Sequence, residues 1–477
     1  MILSAKWPII IQGGMGAGVS HWFLAKTVSK LGQLGVVSGV ALDTIMVRRL
    51  QLGDPDGHIR RALDHFPIPE VAQRIYDQYF VPGGKVITKA FKRIPMWTIE
   101  PSQTLNELAV VANFTEVFLA KEDHSGQVGI NYLEKIQMPI LASIYGAMLA
   151  GVDYVLMGAG IPREIPGVLD RFIYHKKISY KINVVGAGRN DDWKMEFDPK
   201  DIIGSIQDTL KRPFFLAIIS SAILAVSMVK KSTGAVNGFV IEGPTAGGHN
   251  APPRGALKLT VNGEPIYGER DIVDLDKIKE LGLPIWLAGS FGASERIQEI
   301  LDQGATGVQV GTPFAFCEES GIPGDIKCKV LEKICVDGAE VFTDPFASPT
   351  GFPFKVLQLE GTMSDETVYQ KRSRICDLGY LRTVYKKPDG KIGYRCPSEP
   401  ADTYLRKGGN QEDTEGRKCL CNSLVANVGM TQIQVSGYVE KPLITTGEDF
   451  SLIHRILMFK DEMWYSAADV IRALSIE

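Results

Sequence analysis

The stretch "LAGSFGASERIQEILDQGATGVQVGTPF" (287–314) contains two short apolar runs separated by a segment with a helical pattern. The first run ends at Gly289 and the second at Gly311, and small or polar residues follow each of them. A strand, a glycine-rich turn, a helix and a second strand in this order are typical of a βα unit in a parallel sheet. The stretch therefore predicts parallel strands with glycines at their carboxyl ends.

The same alternation of apolar and amphipathic segments runs through the first 320 residues. It predicts an α/β protein in which residues 1–320 form a (β/α)8 TIM barrel, with an excursion at about 50–95 that is rich in Pro, His and charge. The carboxyl ends of all barrel strands open onto one face, and that face carries the site. The predicted strands are 8–14, 35–40, 115–121, 153–160, 181–188, 214–220, 238–243, 284–290 and 306–312. The predicted helices are 20–31, 130–151 with a break near Pro139, 221–232 and 293–304.

Residues 321–477 form a second region in this interpretation, a C-terminal extension that packs on the barrel. Beyond about residue 360 the sequence is polar and Gly-rich, and no clear period returns until "SLIHRILMF" (451–459) and "YSAADVIRALSI" (465–476). We therefore expect an α-rich or irregular extension that includes a cysteine-containing segment at 370–425.

Composition is ordinary for a soluble globular enzyme. The chain has 477 residues, 45% of them hydrophobic and 22% charged, with a net charge of −3, which argues against a nucleic-acid surface. Met1–Pro8 has no pattern of a signal peptide, and the apolar run at 214–229 is short for a membrane span, so it predicts a strand that turns into a buried helix. Seven cysteines, an odd number, without a secretory signal predict a reducing compartment, and we expect a cytoplasmic protein.

A lone histidine stands in "EGPTAGGHNAPPRG" (242–255), directly after the apolar run "GAVNGFVI". Gly247 and Gly248 leave space for a ligand to approach the main chain closely. An imidazole titrates near neutral pH, so it can act as a base toward an acidic carbon or as a cationic partner of an anion. We therefore predict a functional role for His249. His21 follows the first glycine-rich loop and is a candidate to flank the pocket, whereas the other five histidines lack a comparable setting.

Glycine-rich loops at Gly289–Gly292 and Gly311–Thr312 end the last two predicted strands, and Ser294 and Glu295 open the helix between them. Backbone N–H groups and a helix dipole at such a position favour an anion, so the two loops together predict a phosphate site. The alternative is that both loops only make tight turns.

The amino-terminal "PIIIQGGMGAGVSHW" (8–22) has the same order of strand, glycine-rich loop and helix. It matches a dinucleotide fingerprint loosely, but Asp43 is poorly placed to hold a ribose. A barrel loop that touches a flat cofactor fits the pattern better.

These motifs, together with "VGIN" (128–131), resemble in order and sequence the nitronate monooxygenase family, formerly called 2-nitropropane dioxygenases, and the related FMN-dependent enoyl-acyl-carrier-protein reductases. The similarity runs from about residue 8 to 365. It implies a TIM barrel that holds FMN noncovalently at its carboxyl face, with the phosphate on the last two strand ends.

The resemblance also implies site residues. His249 falls on the active-site histidine of the family, whereas Thr245 stands where the family often has Glu or Asp, with Glu242 nearby. No metal ligand is implied. The implied FMN contacts are Gly13, Gly14, Met15, Asn131, Gly247, Gly248, Ala288, Gly289, Ser290, Gly311 and Thr312.

Three functions remain open at this point. The first is an FMN-dependent monooxygenase that oxidises alkyl nitronates, or another stabilised carbanion, with O2. The second is an NAD(P)H-dependent enoyl-thioester reductase, which the absence of a second strong dinucleotide motif disfavours. The third is a barrel that binds FMN or another phosphate without turnover, which His249 in its glycine hairpin disfavours. The expected partners are a small-molecule substrate and O2, with neither nucleic acid nor membrane, and a homodimer is left open.

Four cysteines form a separate group, Cys376, Cys396, Cys419 and Cys421. Four thiols in a polar, Gly-rich segment suit a zinc ion or an iron–sulfur cluster, but zinc ribbons have two C-x2-4-C pairs and this segment has only one C-x-C pair. The spacing therefore favours free thiols. Because the four cysteines lie outside the barrel series and none follows a strand end, we expect them to take no part in flavin chemistry.

Overall fold

The computed structural model describes residues 7–204, 208–291, 294–460 and 462–475, so that part of the segment examined for a signal peptide, Met1–Lys6, lies outside it. Its strands are β1 (Ile10–Gln12), β2 (Leu34–Ser38), β3 (Val128–Leu133), β4 (Tyr154–Gly158), β5 (Ile178–Lys181), β6 (Val184–Val185), β7 (Lys194–Phe197), β8 (Phe214–Ile219), β9 (Gly238–Glu242), β10 (Ile285–Ala288), β11 (Gly307–Val310), β12 (Val341–Asp344), β13 (Phe354–Leu357), β14 (Thr383–Lys386) and β15 (Ile392–Arg395).

Eight of these strands close into a barrel in the order β1, β2, β3, β4, β8, β9, β10 and β11, and each is parallel to its neighbours. The predicted TIM barrel is therefore confirmed. The remaining strands form small antiparallel pairs outside it, β5 with β7, β12 with β13 and β14 with β15, and β6 joins β14.

The helices cover the outside of the barrel and make up much of the C-terminal region. They are α1 (Trp22–Lys30), α2 (Leu42–Gln51), α3 (His58–Leu63), α4 (Pro69–Tyr79), α5 (Gln103–Lys121), α6 (Ile140–Leu149), α7 (Ile165–Phe172), α8 (Lys200–Ile203), α9 (Ala222–Lys231), α10 (Leu275–Lys279), α11 (Ser294–Asp302), α12 (Thr312–Ala315), α13 (Gly324–Cys335), α14 (Glu366–Gln370), α15 (Ala401–Arg406), α16 (Leu420–Ala426), α17 (Ser451–Lys460) and α18 (Ala467–Leu474).

The interior of the barrel is filled by apolar side chains. Trp286 is fully buried there, and its indole N–H donates to the carbonyl oxygen of Pro8 at 2.8 Å. Trp7 packs on Trp286 and on Phe214, with ring centroids 5.9 and 5.1 Å away. These aromatic rings close the barrel at the end where its strands begin, so open space is left at the carboxyl ends.

Two sequence predictions were wrong in the first half of the chain. Residues 115–121 are not a strand, because they form the last two turns of α5, whose N-cap Ser102 accepts a hydrogen bond from the Leu105 N–H. This helix is buried on almost every side, so its short apolar runs look like those of a buried strand. The predicted helix 130–151 begins only at Ile140, and the "VGIN" motif lies in β3.

Two further predictions need correction. Residues 181–188 do not form a barrel strand, because β5 and β6 lie in separate small sheets. Residues 214–229 do form a strand followed by a helix, but α9 buries only Ala225 and Met228, and Ile223 is 75% exposed. Within the described part of the chain, no helix combines the length and apolar character that crossing a membrane requires.

Candidate active site

One large cavity opens at the carboxyl ends of the barrel strands. Its volume is about 220 Å³, against about 30 Å³ for the pocket beside Arg254. It is lined by all twelve residues that the family resemblance implied for FMN contact or catalysis, namely Gly13, Gly14, Met15, Asn131, Gly247, Gly248, His249, Ala288, Gly289, Ser290, Gly311 and Thr312. The fold thus brings residues from five separate segments of the chain into one space.

The loop after β1 is held in place from both sides. Ser20 accepts a hydrogen bond from the Met15 N–H and donates one to the carbonyl oxygen of Gly13, both at 3.0 Å. Gly14 packs directly on β3, where a Cβ atom would lie 2.5 Å from the Cβ of Asn131. Glycine at position 14 is therefore required by this close approach, and the loop presents backbone rather than side chains to the cavity.

The loops after β10 and β11 differ in how much room they leave. Gly289 has φ +102°, and a Cβ there would lie 2.8 Å from Thr245 Oγ1, so this glycine is required locally. At Gly311 the nearest atom to an added Cβ is Met15 Sδ at 3.5 Å, an ordinary contact. The open space at Gly311 therefore belongs to the cavity. Gly292, the end of the first predicted phosphate loop, lies outside the described residues, as do the side chains of Ser294 and Glu295.

His249 is clamped between the barrel and the region of β12 and β13. Its Nε2 shares a hydrogen bond of 2.7 Å with Ser348 Oγ, and its ring packs edge-on against Phe354 at 4.8 Å between centroids. The backbone on both sides is bonded to β13, since the Lys355 N–H donates to the carbonyl oxygen of Gly248 at 2.9 Å. The imidazole therefore has one fixed orientation at the cavity wall.

Burial, and then the positive charge of Lys135, lower the pKa of His249 to about 4. The imidazole is consequently neutral near pH 7. Of the two roles considered from the sequence, a permanently cationic partner for an anion is disfavoured, whereas a neutral base or hydrogen-bonding group is compatible with this environment.

Glu242 is a cavity residue that was noted in the sequence but not assigned to the site. It ends β9 and lines the same cavity as His249. Burial raises the pKa of its carboxyl to about 8, so the group is largely protonated at pH 7. Glu242 is an acidic residue at the end of the predicted strand 238–243, just before the glycine hairpin. This position could have identified it as a site residue from the sequence. Thr245, where the family often has a carboxylate, instead lies beside Gly289.

The C-terminal region supplies part of the cavity wall, which no sequence pattern indicated. Thr445 accepts a hydrogen bond from the Gly248 N–H at 2.9 Å, and the Gly447 N–H donates to Thr312 Oγ1 at 2.8 Å. A Cβ at Gly247 would lie 2.6 Å from the backbone of Thr446, so Gly247 is small in order to pack on this segment. The cavity residues from this region are Phe354, Leu424, Thr445, Thr446, Gly447, Asp449 and Leu452.

Three buried polar atoms at the cavity wall have no hydrogen-bond partner among the described residues. They are Asn131 Oδ1, Gln309 Oε1 and Thr446 Oγ1. Buried polar atoms are rarely left unpaired, so these three call for a ligand with polar groups or for bound water. Such an arrangement, with backbone exposed at glycines, fits a polar cofactor such as FMN.

Asp43 does not take part in the site. It is buried and accepts hydrogen bonds from the Trp97 indole at 2.9 Å and from the Tyr380 hydroxyl. Its carboxyl group is used inside the fold and is not available to hold a ribose. This agrees with the sequence analysis, which found Asp43 poorly placed for that role.

Comparison with known proteins supports the resemblance. Residues 198–350 match the family model described as nitronate monooxygenase, which confirms the predicted similarity to that family. Among curated proteins, 145 residues are 28% identical to a (3aS,4S,5R,7aS)-5-hydroxy-7a-methyl-1-oxo-octahydro-1H-indene-4-carboxyl-CoA dehydrogenase of Mycobacterium tuberculosis (strain ATCC 25618 / H37Rv). This match covers 30% of the present chain and 36% of the relative's length.

Solved structures show broader but more distant similarity. A nitroalkane oxidase from Streptomyces ansochromogenes is 15% identical, with a TM-score of 0.47 and coverage of 99% of this chain and 96% of that one. FabK from Thermotoga maritima is 16% identical, with a TM-score of 0.40 and coverage of 76% and 74%.

Proposed function

We propose that the protein is an FMN-dependent oxidoreductase that oxidises alkyl nitronates, or a similar stabilised carbanion, with O2. The observation that carries this proposal is the convergence of all twelve sequence-assigned residues on one cavity of about 220 Å³ at the carboxyl end of the barrel. Active sites of such barrels lie at that face.

The residues at the cavity wall divide the work of holding FMN. Gly289, Ser290, Gly311 and Thr312 would hold the phosphate, because they end the last two strands and present backbone there. The loop Gly13–Met15 and Asn131 would hold the flat ring system, and Asn131 Oδ1 offers an acceptor with no protein partner. When bound, FMN supplies a two-electron acceptor for the carbanion and the means to pass electrons to O2.

His249 would act on the substrate. As a neutral imidazole it either takes the α-proton of a nitroalkane or holds a nitronate by a hydrogen bond, while the bond to Ser348 keeps the ring in one orientation. A base with a low pKa is weak, so removal of the proton depends on the bound anion stabilising the imidazolium that forms.

Glu242 would provide a protonated carboxyl in the same cavity. A neutral carboxyl does not repel an anionic substrate and can donate a hydrogen bond to it, in a place where an ionised carboxylate would do the opposite. This group takes over part of the environment that the acidic residue at position 245 would supply in the family.

The test is direct. The purified full chain is reduced with light under anaerobic conditions and mixed separately with ethyl nitronate plus O2, with NADPH, and with crotonyl thioester. The proposal predicts bound FMN, released as such on denaturation, and consumption of nitronate with O2. Protein that neither contains FMN nor takes it up would overturn the cofactor assignment.

A second candidate is an NAD(P)H-dependent enoyl-thioester reductase. The similarity to a dehydrogenase whose name specifies a carboxyl-CoA substrate favours a thioester in this cavity. In the same experiment, rapid flavin reduction by NADPH followed by reoxidation with crotonyl thioester, and no turnover of nitronate, would select this function over the first.

A further inference from the structure

Four cysteines that are scattered in sequence meet at one place in the fold. Nineteen and twenty-two residues separate the first three, and the last two form a C-x-C pair, yet a single small cavity is lined by all of them, Cys376, Cys396, Cys419 and Cys421. None of the four lines the large cavity at the barrel mouth. All are free thiols, and we call this group the thiol cluster.

The thiol cluster is apolar and enclosed. Cys396 and Cys419 are each 6% exposed, and burial raises the pKa of all four thiols, that of Cys419 to about 12. Mutual repulsion of the sulfur atoms adds to this, since Cys421 is influenced by each of the other three. The four thiols thus share one cavity that is largely protected from solvent.

The space among the thiols decides between kinds of metal centre. The cavity has a volume of about 10 Å³, room for about one water-sized sphere. Sulfur atoms at about 2.3 Å from a zinc ion would leave no such room. The described residues contain no group of three or more His, Cys, Asp or Glu that could hold a metal ion, so the four thiols are not gathered around a single ion. A larger centre, with four thiolates spaced around several atoms, fits this arrangement.

A buried cation next to the thiol cluster gives a second, independent observation. The side chain of Arg372 is only 1% exposed, and its guanidinium bonds to Glu440 at 2.8 Å and to the carbonyl oxygen of Ser398, which lines the same cavity. Its Nη1 has no hydrogen-bond partner in the described part of the chain. A buried guanidinium N–H beside Cys419 and Cys396 is suited to an acceptor with negative charge, such as metal-bound sulfur.

We propose that Cys376, Cys396, Cys419 and Cys421 ligate an iron–sulfur cluster. The convergence in three dimensions outweighs the irregular spacing, which favoured free thiols. The cluster enters preassembled, and each thiol releases its proton as its sulfur bonds to iron, so no electron is transferred on binding.

The position of the thiol cluster gives the metal centre a structural task near the active site. Pro349 lines the small cavity and follows Ser348, the partner of His249. Arg417 donates to the carbonyl oxygen of Ser348 at 2.5 Å, and the Lys418 N–H donates to that of Ala347 at 2.9 Å. The chain that leads into Cys419 therefore positions the loop that orients His249.

Elemental analysis of the full chain purified without oxygen tests the proposal. We expect iron and acid-labile sulfide in equal amounts, and a broad visible absorbance that remains after FMN is removed. Cys419→Ser should lose most of the iron, whereas Cys335→Ser, at an exposed thiol, should keep it. Zinc without sulfide, or four thiols that react with a thiol reagent after unfolding and no metal, would overturn the assignment.

A second variant guards against simple misfolding. Arg372→Gln removes the cation beside the thiol cluster while all four thiols remain, and we expect a cluster that is lost to a chelator several-fold faster than in the unchanged protein. Unchanged loss rates would contradict the role given to Arg372. Since iron and sulfide are measured without any substrate, failure of this proposal is distinguishable from failure of the nitronate assignment.

Discussion

The barrel mouth and the thiol-cluster region are built on different principles. At the mouth, parallel strands end together and glycines present backbone, so the site follows from the regularity of the barrel. Around the thiol cluster the elements are short, and pairs of side chains hold them, such as Asn422 with Asp377 at 2.7 Å and Arg372 with Glu440 at 2.8 Å. A site made of strand ends can be found from sequence, whereas one made of side-chain pairs requires coordinates.

The largest expected effect is at the mouth. Gly311→Asp should abolish FMN binding, because a carboxylate would occupy the place proposed for the phosphate. The backbone at Gly311 has φ −117°, and an added Cβ meets only ordinary contacts, so the substitution does not strain the fold. FMN absorbance of the purified variant measures the effect.

Gly311→Asn is the matched control, similar in shape but without the charge. It should retain weakened FMN binding. If the Asp variant bound FMN as well as the unchanged protein, the phosphate would have to lie elsewhere.

The second effect concerns His249, whose imidazole at the barrel mouth bonds to Ser348 of the C-terminal region. His249→Ala should keep FMN, since the residues proposed to hold it lie elsewhere on the wall, but slow the turnover of neutral nitroalkane by about 10² to 10⁴. A larger loss for the nitroalkane than for preformed nitronate would support removal of the α-proton, and equal losses would favour positioning of the anion. Steady-state kinetics with both substrates distinguish these outcomes, and unchanged kinetics would remove His249 from the mechanism.

Ser348→Ala separates the two contributions of the clamp. It keeps the imidazole but removes its hydrogen bond across the regions, so we expect a smaller loss than for His249→Ala. A loss as large as that of His249→Ala would mean that the orientation of the ring, rather than its chemistry, limits the rate.

A smaller effect depends on pH. Because burial raises the pKa of Glu242 to about 8, its carboxyl is neutral below that pH and anionic above it. The value of kcat/KM for nitronate should therefore fall as the pH rises through about 8, where the new charge repels the anion. Glu242→Gln, which stays neutral, should be active at pH 7 and lack this decline. The same decline in the Gln variant would assign it to another group.

The smallest effect concerns the segment Thr445–Gly447 of the C-terminal region, which lines the cavity. Thr445→Val leaves the partly buried N–H of Gly248 without its acceptor and should lower the free energy of unfolding by about 1 kcal/mol while FMN is still bound. Denaturant unfolding measures this change, with Thr367→Val on the exposed face of α14 as control. Equal stability of both variants would show that the hydrogen bond between Thr445 and Gly248 contributes little to the stability of the fold.

The sequence alone determined the barrel and the face at which the large cavity opens, because glycine or a small polar residue after most of the apolar runs marks a strand end and all such ends meet at one face. The prediction was wrong where a buried strand and a buried helix have apolar runs of the same length, as in α5. It also merged the "VGIN" strand into the helix that follows it. Only the tertiary structure decided how Thr445 and Ser348 meet the glycine hairpin of the barrel, and that four scattered cysteines line one cavity. The two contacts join residues 197 and 99 positions apart through single hydrogen bonds, which have no period that a sequence could display.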